Sequence, residues 1–311
     1  MVGDIWMKMK IGALDTMWFN LPFEERLNRI AELGFKGVQF WLTTAELGFK
    51  NPWGCFPKEW LEKRKFEKRT LDLPKAKVAE LVAAAGLEIT AMGEHSIAGD
   101  PRAPGNPSDF DVGDKRKERD NDLKALMTYA SEIGVKIVIA ESGGDPDKPE
   151  HFDKLIQILK ELTAHAENVG VKLALENSPQ FYAKDAETLL KLIHAVDSKA
   201  LGVNYDPANL ALTPPGNHDI AGFIRKLGRD RIFHMHAKDA VYGGSAWGST
   251  PYGVWIQPPI KWGRTPWPDV LKAVKDIGYD GWMIVEYVWT DPWEDGIIES
   301  KKNLEAMLAK I

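Results

Sequence analysis

The chain has 311 residues, 44% of them hydrophobic, with a net charge of -5 and a single cysteine, Cys55. The acidic balance argues against a nucleic-acid binder, which carries a basic face; one cysteine excludes an internal disulfide and fits a reducing compartment. No apolar run approaches the ~20 residues of a membrane helix, and the opening MVGDIWMKMKIG lacks the apolar stretch of a secretory signal, so the expectation is a cytoplasmic protein without a membrane partner.

In chain order, apolar runs predict strands over residues 9–14, 37–42, 88–94, 136–141, 171–176, 201–206, 231–236 and 281–287. A helix follows each, the last over 294–309. The boundary between helix and strand repeats: AELGFKGVQFW (31–41), AAAGLEITAM (83–92), SEIGVKIVIAE (131–141), ENVGVKLALE (167–176), RKLGRDRIFHMH (225–236) and KDIGYDGWMIVE (275–286). In each, a glycine suited to the left-handed position past a helix C-terminus precedes one to three linking residues and an apolar run. The helices carry a 3.6-residue pattern, as in Phe23, Leu27, Ile30, Ala31 and Leu33, or Leu155, Ile156, Leu159, Leu162 and Ala166. Near-continuous apolar strands alternating with helices mean a parallel sheet covered on both faces. Eight such units predict one α/β domain over 1–311, a (β/α)8 TIM barrel, in preference to an open doubly wound sheet. No G-x-G-x-x-G follows the first strand, where LDTMWFN stands instead.

Two connections are long, 43–74 after the second strand and 239–266 after the seventh, and both are rich in Trp, Gly and Pro. Both leave the C-terminal strand ends, where barrel active sites sit, and loops of that length are binding loops or lids.

Polar residues collect at the same strand ends. The fifth strand ends in Glu176, the sixth in Asp206, the seventh in His236 and the eighth in Glu286. Three carboxylates converging there repel one another unless a cation lies between them. Two Glu, one Asp and one His make an oxygen-rich set suited to Mn²⁺, with Mg²⁺ or Co²⁺ as alternatives, rather than to a thiolate-type zinc site. The competing reading pairs each acid with a Lys or Arg at the barrel mouth.

The set LALEN, NYDPANL, HMHAKD and IVEY resembles the xylose-isomerase-like barrel superfamily of sugar epimerases and isomerases, over nearly the whole chain from KIGALD onward. The resemblance implies one divalent metal on Glu176, Asp206, His236 and Glu286, with Glu176 and Glu286 also the catalytic acid–base pair. It implies an epimerase or isomerase of a sugar or sugar derivative working through an enediolate. It also implies a small carbohydrate as partner and a homodimer or homotetramer. His95, Asn209, Lys238 and Arg264 are candidates to grip substrate hydroxyls, with Lys238 equally a counter-ion for Asp239 or Asp206. Trp18, Trp41 and Trp262, with Trp53 and Trp255, are candidates to stack on the substrate or to pack the long loops. His234 is read as a core histidine that need not share the direction of His236.

The sequence departs from the ketose 3-epimerases at two positions. Tyr242 stands where they have an Arg six residues after the metal His, and Tyr182 where they have a Glu six residues after the first metal Glu. The alternative activity is a dehydratase or lyase at the same site, acting on a keto-inositol or a 3-keto-glycoside. Endonuclease IV, a remote member, needs more His ligands for three zincs, and of the seven His here His151, His165, His194 and His218 are predicted on helices or at their starts.

Overall fold

The structure is a computed structural model and describes residues 9–49, 70–94, 113–145, 148–179, 181–213, 218–243, 254–287 and 293–311. Eight parallel strands close into a barrel: β1 (Lys10–Leu14), β2 (Gly37–Phe40), β3 (Glu88–Glu94), β4 (Ile137–Glu141), β5 (Lys172–Glu176), β6 (Leu201–Tyr205), β7 (Ile232–Ala237) and, after a hairpin, β10 (Trp282–Val285). Their order round the barrel is β1, β10, β7, β6, β5, β4, β3, β2.

The helices are α1 (Phe23–Glu32), α2 (Leu42–Glu46), α3 (Lys75–Ala84), α4 (Gly113–Glu132), α5 (Pro149–Val169), α6 (Ala186–Val196), α7 (Pro207–Leu212), α8 (Ile220–Leu227), α9 (Trp267–Asp276) and α10 (Trp293–Leu308). On α5 the buried residues Leu155, Ile158, Leu159, Leu162 and Ala166 form one stripe against the sheet, with Ile156 at its edge. The glycines of the repeated boundary, Gly34, Gly86, Gly134, Gly170, Gly228 and Gly278, all have positive φ. At Gly170 (φ 73°, ψ 32°) the left-handed turn lets its N–H bond back to Ala166 and Glu167, ending α5 and aiming the chain into β5.

Three strand ends fall short of their predicted limits, for local reasons. The second strand stops at Phe40 because the Asp15 carboxylate accepts from the N–H groups of Trp41, Leu42 and Thr43 and starts α2. The sixth stops at Tyr205 because Asp206 caps α7, with Pro207 at its first turn. The eighth barrel strand stops at Val285, just short of Glu286. Within the second long connection, where the sequence predicts loop, β8 (Val241–Gly243) and β9 (Val254–Ile256) form an antiparallel hairpin.

The main core lies between the strands and the helices. A smaller cluster of Ala91, Ile139, Ala174 and Phe233 fills the barrel interior. Phe233 lies against Gly202, where a Cβ would sit 2.5 Å from its ring, and the Lys172 ammonium lies 4.2 Å over that ring. The interior is therefore filled below, and space for a ligand is confined to the C-terminal mouth.

Candidate metal centre

Each of the four strand-end residues is set in place by its own element. Asp206 divides its carboxylate: Oδ1 accepts from Asn209 N–H at 2.9 Å as the cap of α7, which leaves Oδ2 for the mouth. Its backbone is locked to Asn177, whose amide donates to the Asp206 carbonyl at 2.7 Å and accepts its N–H at 2.8 Å. Glu176 is gripped through both oxygens, by Asn209 Nδ2 at 3.1 Å and Asn204 Nδ2 at 3.0 Å. Glu286 extends β10 by bonding its N–H to the Ala237 carbonyl. His236 is in register with Ile284 of β10 and points into the barrel.

One ligand atom from each of Glu176, Asp206, His236 and Glu286 lies within 4.8 Å of the others. Asp206 is fully buried, His236 and Glu286 nearly so, and Glu176 is partly exposed. His236 Nδ1 lies 2.9 Å from Glu286 Oε2, 3.4 Å from Glu176 Oε1 and 3.9 Å from Asp206 Oδ2. The Lys238 ammonium sits beside them, 2.8 Å from Asp206 Oδ2 and 3.1 Å from Glu286 Oε1.

Two features fit a divalent cation. Asp206 Oδ2, His236 Nδ1 and Glu286 Oε2 are buried and make no well-directed hydrogen bond among the described residues, despite their short distances to charged neighbours. Buried polar atoms without hydrogen bonds are rare, and an ion is one of the few things that explains a converging set. The charges point the same way. Three carboxylates against one ammonium leave a site charge of about minus two, which a dication beside a neutral imidazole cancels. The pairing of acids with a lysine, weighed from the sequence, accounts for only one of those charges.

The proton affinities follow from the same crowding. Burial pushes the Asp206 carboxyl up to about 6, with Lys238 opposing it. Burial would also raise Glu286, but Lys238 and His236 overcome it and hold that carboxyl at about 2. Burial would lower His236, yet Glu176 and Glu286 raise it to about 10. Lys238 is likewise held charged against burial by Asp206 and Glu286. A bound dication would reverse the logic at His236, since an imidazole ligand must give up its proton.

The other residues named from the sequence are spread unevenly. Asn209 reaches the site, but its amide is spent on Glu176 and the Asn177 carbonyl. Lys238 is the counter-ion of Asp206 and Glu286; Asp239 instead accepts from the N–H groups of Ala240, Lys261, Gly263 and Thr265 and so anchors the turn that carries Trp262 and Arg264. Trp262 is 67% exposed and Arg264 is also exposed. Trp18 is buried, its indole N–H donating to Glu294 at 3.1 Å and its ring edge-on to Trp293, which are packing contacts. Trp41 is partly buried next to α2. Tyr182 stacks on Phe152. His95, Trp53 and the side chains of Trp255 and Tyr242 lie outside the described residues.

His234 corrects the sequence reading in one respect: it shares the inward face with His236, as residues two apart on a strand do, with ring centroids 6.1 Å apart. It remains a satisfied core histidine. Burial, then the charge of His236, pushes it well below its usual range, so it is neutral. Its Nδ1–H donates to Asn204 Oδ1 at 2.9 Å, and its Nε2 lies 3.2 Å from the Thr90 hydroxyl.

Sequence reading passed over Gln39 and Asn204, which lie directly under the site, and Glu141. Glu141 ends β4 in register with Glu176, so the two share the inward face. The available signal was a polar residue inside an apolar strand run, GVQFW and LGVNY.

The model of the Xylose isomerase-like TIM barrel family matches residues 27–307. The chain belongs to that family. Relatives of this family member include an uncharacterized protein of Methanocaldococcus jannaschii, 30% identical over 176 residues; that match spans about half of each protein, 53% of this chain and 55% of the other. Fructoselysine 3-epimerase of Escherichia coli O157:H7 is 24% identical over 292 residues, 90% of each chain. Among solved structures, the IolI protein with a bound zinc atom superposes with a TM-score of 0.71 at 19% identity, covering 97% of this chain and 99% of that one, which shows the shared fold. The homologues of this chain thus include sugar epimerases, and no helix among the described residues is long and apolar enough to cross a membrane.

Proposed function

We propose that the chain is a divalent-metal-dependent epimerase of a sugar or sugar derivative. The observation that carries the reading is the convergence of two glutamates, an aspartate and a histidine within 4.8 Å at the barrel mouth. The match to a sugar epimerase over 90% of both chains supports it.

Glu176, Asp206, His236 and Glu286 are the residues that would hold the cation, Mn²⁺ being the first choice for an oxygen-rich set with one imidazole. When bound it would supply Lewis-acid stabilisation of the negative charge that develops on a substrate oxygen. The proton work belongs to the glutamates. Glu176 and Glu286 stand on β5 and at the end of β10, the outer two of four adjacent strands, and so flank Asp206 and His236. One carboxylate takes a proton from the carbon next to a carbonyl, and the other, carrying a proton, returns one to the opposite face. The centre inverts with no net redox change. Asn204 and Asn209, both bonded to Glu176, fix that carboxylate while its proton inventory changes.

The test is hydrogen exchange in heavy water. Mn²⁺-loaded protein is incubated with free ketoses, ketosamines such as fructoselysine, and 3-keto-glucosides. The expected result is deuterium at the carbon next to the carbonyl of one class, lost in Glu176→Gln and Glu286→Gln. A product lighter by one water or one aglycone would move the assignment to a dehydratase or lyase. No exchange in any class would overturn the proton-transfer reading.

A further inference from the structure

Beneath the four donors lies a buried polar layer of Gln39, Thr90, Asn204 and His234, of which the proposed chemistry uses only Asn204. Polar groups are costly inside a barrel that could have been filled with aliphatic side chains, so each needs a partner. Gln39 comes from β2, which is separated from β7 by β1 and β10, and its side chain crosses the interior to reach His236. Gln39 is 2% exposed, and its Oε1 lies 2.8 Å from His236 Nε2. Gly93 lies beside this path, where a Cβ would stand 3.4 Å from Gln39 Nε2.

Among the described residues, two groups lie within hydrogen-bond distance of His236 Nε2, and only one of them can accept. Asn204 Nδ2, at 3.2 Å, is a donor. Its orientation is set because Asn204 Oδ1 takes the His234 Nδ1–H at 2.9 Å, while Nδ2 donates to Glu176 Oε2 at 3.0 Å. Gln39 Oε1 is the acceptor. A neutral imidazole, the form that binds a cation, has a lone pair on Nδ1 when its Nε2–H is committed to an acceptor, and Nδ1 is the atom that faces Glu176, Asp206 and Glu286. Were the tautomer reversed, Gln39 Oε1 and His236 Nε2 would oppose two lone pairs at 2.8 Å.

We propose that Gln39 is a positioning residue for the candidate metal centre: by accepting the Nε2–H of His236 across the barrel, it fixes the ring and the tautomer that present Nδ1 to the cation. The inference rests on the metal-site reading above and adds to it the group that orients the imidazole. Partners on the far nitrogen of a metal-bound histidine fix tautomer and ring orientation, and removing them costs roughly 10–100-fold in metal affinity.

The experiment titrates zinc, a diamagnetic probe, into full-length wild type, Gln39→Met and Gln39→Glu, alongside two-dimensional ¹H–¹⁵N spectra of histidine-labelled protein with His236→Ala to assign the ring. In zinc-loaded wild type, His236 should show a proton on Nε2, shifted downfield by its hydrogen bond, with Nδ1 as the zinc ligand. Methionine keeps the bulk and removes the acceptor, so Gln39→Met should bind zinc about 10–100-fold more weakly. Glutamate keeps an acceptor, so Gln39→Glu should hold affinity within about threefold of wild type and move the Nε2–H resonance further downfield. That variant decides the matter should Gln39→Met fail to fold. Wild-type affinity in Gln39→Met, an unmoved resonance in Gln39→Glu, or a proton on Nδ1 rather than Nε2 in zinc-loaded wild type would each overturn the role of Gln39. Absence of zinc binding by wild type would instead overturn the metal-site reading itself.

Discussion

Removing the ammonium of Lys238 tests the charge balance of the mouth. Lys238 is 5% exposed and bridges Asp206 Oδ2 at 2.8 Å and Glu286 Oε1 at 3.1 Å. Methionine keeps the stem and deletes the charge, so Lys238→Met leaves two buried carboxylates sharing one imidazole. Removing one partner of a buried ion pair costs about 3–5 kcal/mol. Asp206, which burial already pushes up to about 6, can take up a proton and soften the loss, which places the expectation at the low end. At roughly 2 °C per kcal/mol for a chain of this size, metal-free K238M should melt about 6 °C below wild type. A dication should close that gap. The variant site is one charge more negative and binds the ion more tightly, and a hundredfold tighter Kd recovers about 2.7 kcal/mol relative to wild type at saturation. The assay is calorimetric melting of both proteins in EDTA and in saturating MnCl₂. Equal melting in EDTA, or a gap that Mn²⁺ leaves open or widens, would refute the charge balance.

Metal affinity should rise with pH. In the metal-free site Glu176 and Glu286 outweigh burial and keep His236 protonated up to about 10, and a cation must displace that proton. Apparent Mn²⁺ affinity should therefore climb about tenfold per pH unit from neutrality to about pH 9, and more steeply below about 6, where Asp206 also carries a proton. Calorimetry in buffers of different ionisation enthalpy counts the protons released, and a count of zero at neutral pH would contradict it. Asp239→Ala removes an acceptor shared by four backbone N–H groups. It should cost about 3 kcal/mol, since bonds to a charged acceptor are worth roughly 1.5–3 each and are not additive, and should speed amide exchange at Lys261, Gly263 and Thr265. Gly170→Ala meets no atom within 4 Å among the described residues, so its cost is that of a left-handed alanine, about 1–2 kcal/mol in urea unfolding, with metal affinity unchanged.

The barrel was readable because it is built from repeated local rules. A glycine past each of six helices, the stripe on α5 and the apolar strand runs are properties of neighbouring residues, and each held its place in the fold. The strand-end donors were readable for a related reason: one βα unit takes about 30 residues, so equal spacing brings Glu176, Asp206 and His236 to one height. Strand limits were set less by propensity than by caps, as Asp15 on α2 and Asp206 on α7 show.

The residue types and order thus determined by themselves a parallel barrel and the four side chains at its mouth. Only the tertiary structure decided who faces whom inside it. Lys238 could have paired with Asp239, yet Asp239 is taken by backbone N–H groups and Lys238 turns to Asp206 and Glu286. Gln39 and His236, 197 residues apart, meet across the interior, and His234 shares that face through its strand register. A buried amide in an apolar strand announces that it needs a partner, but closure and register of the barrel, which no local pattern encodes, choose which one.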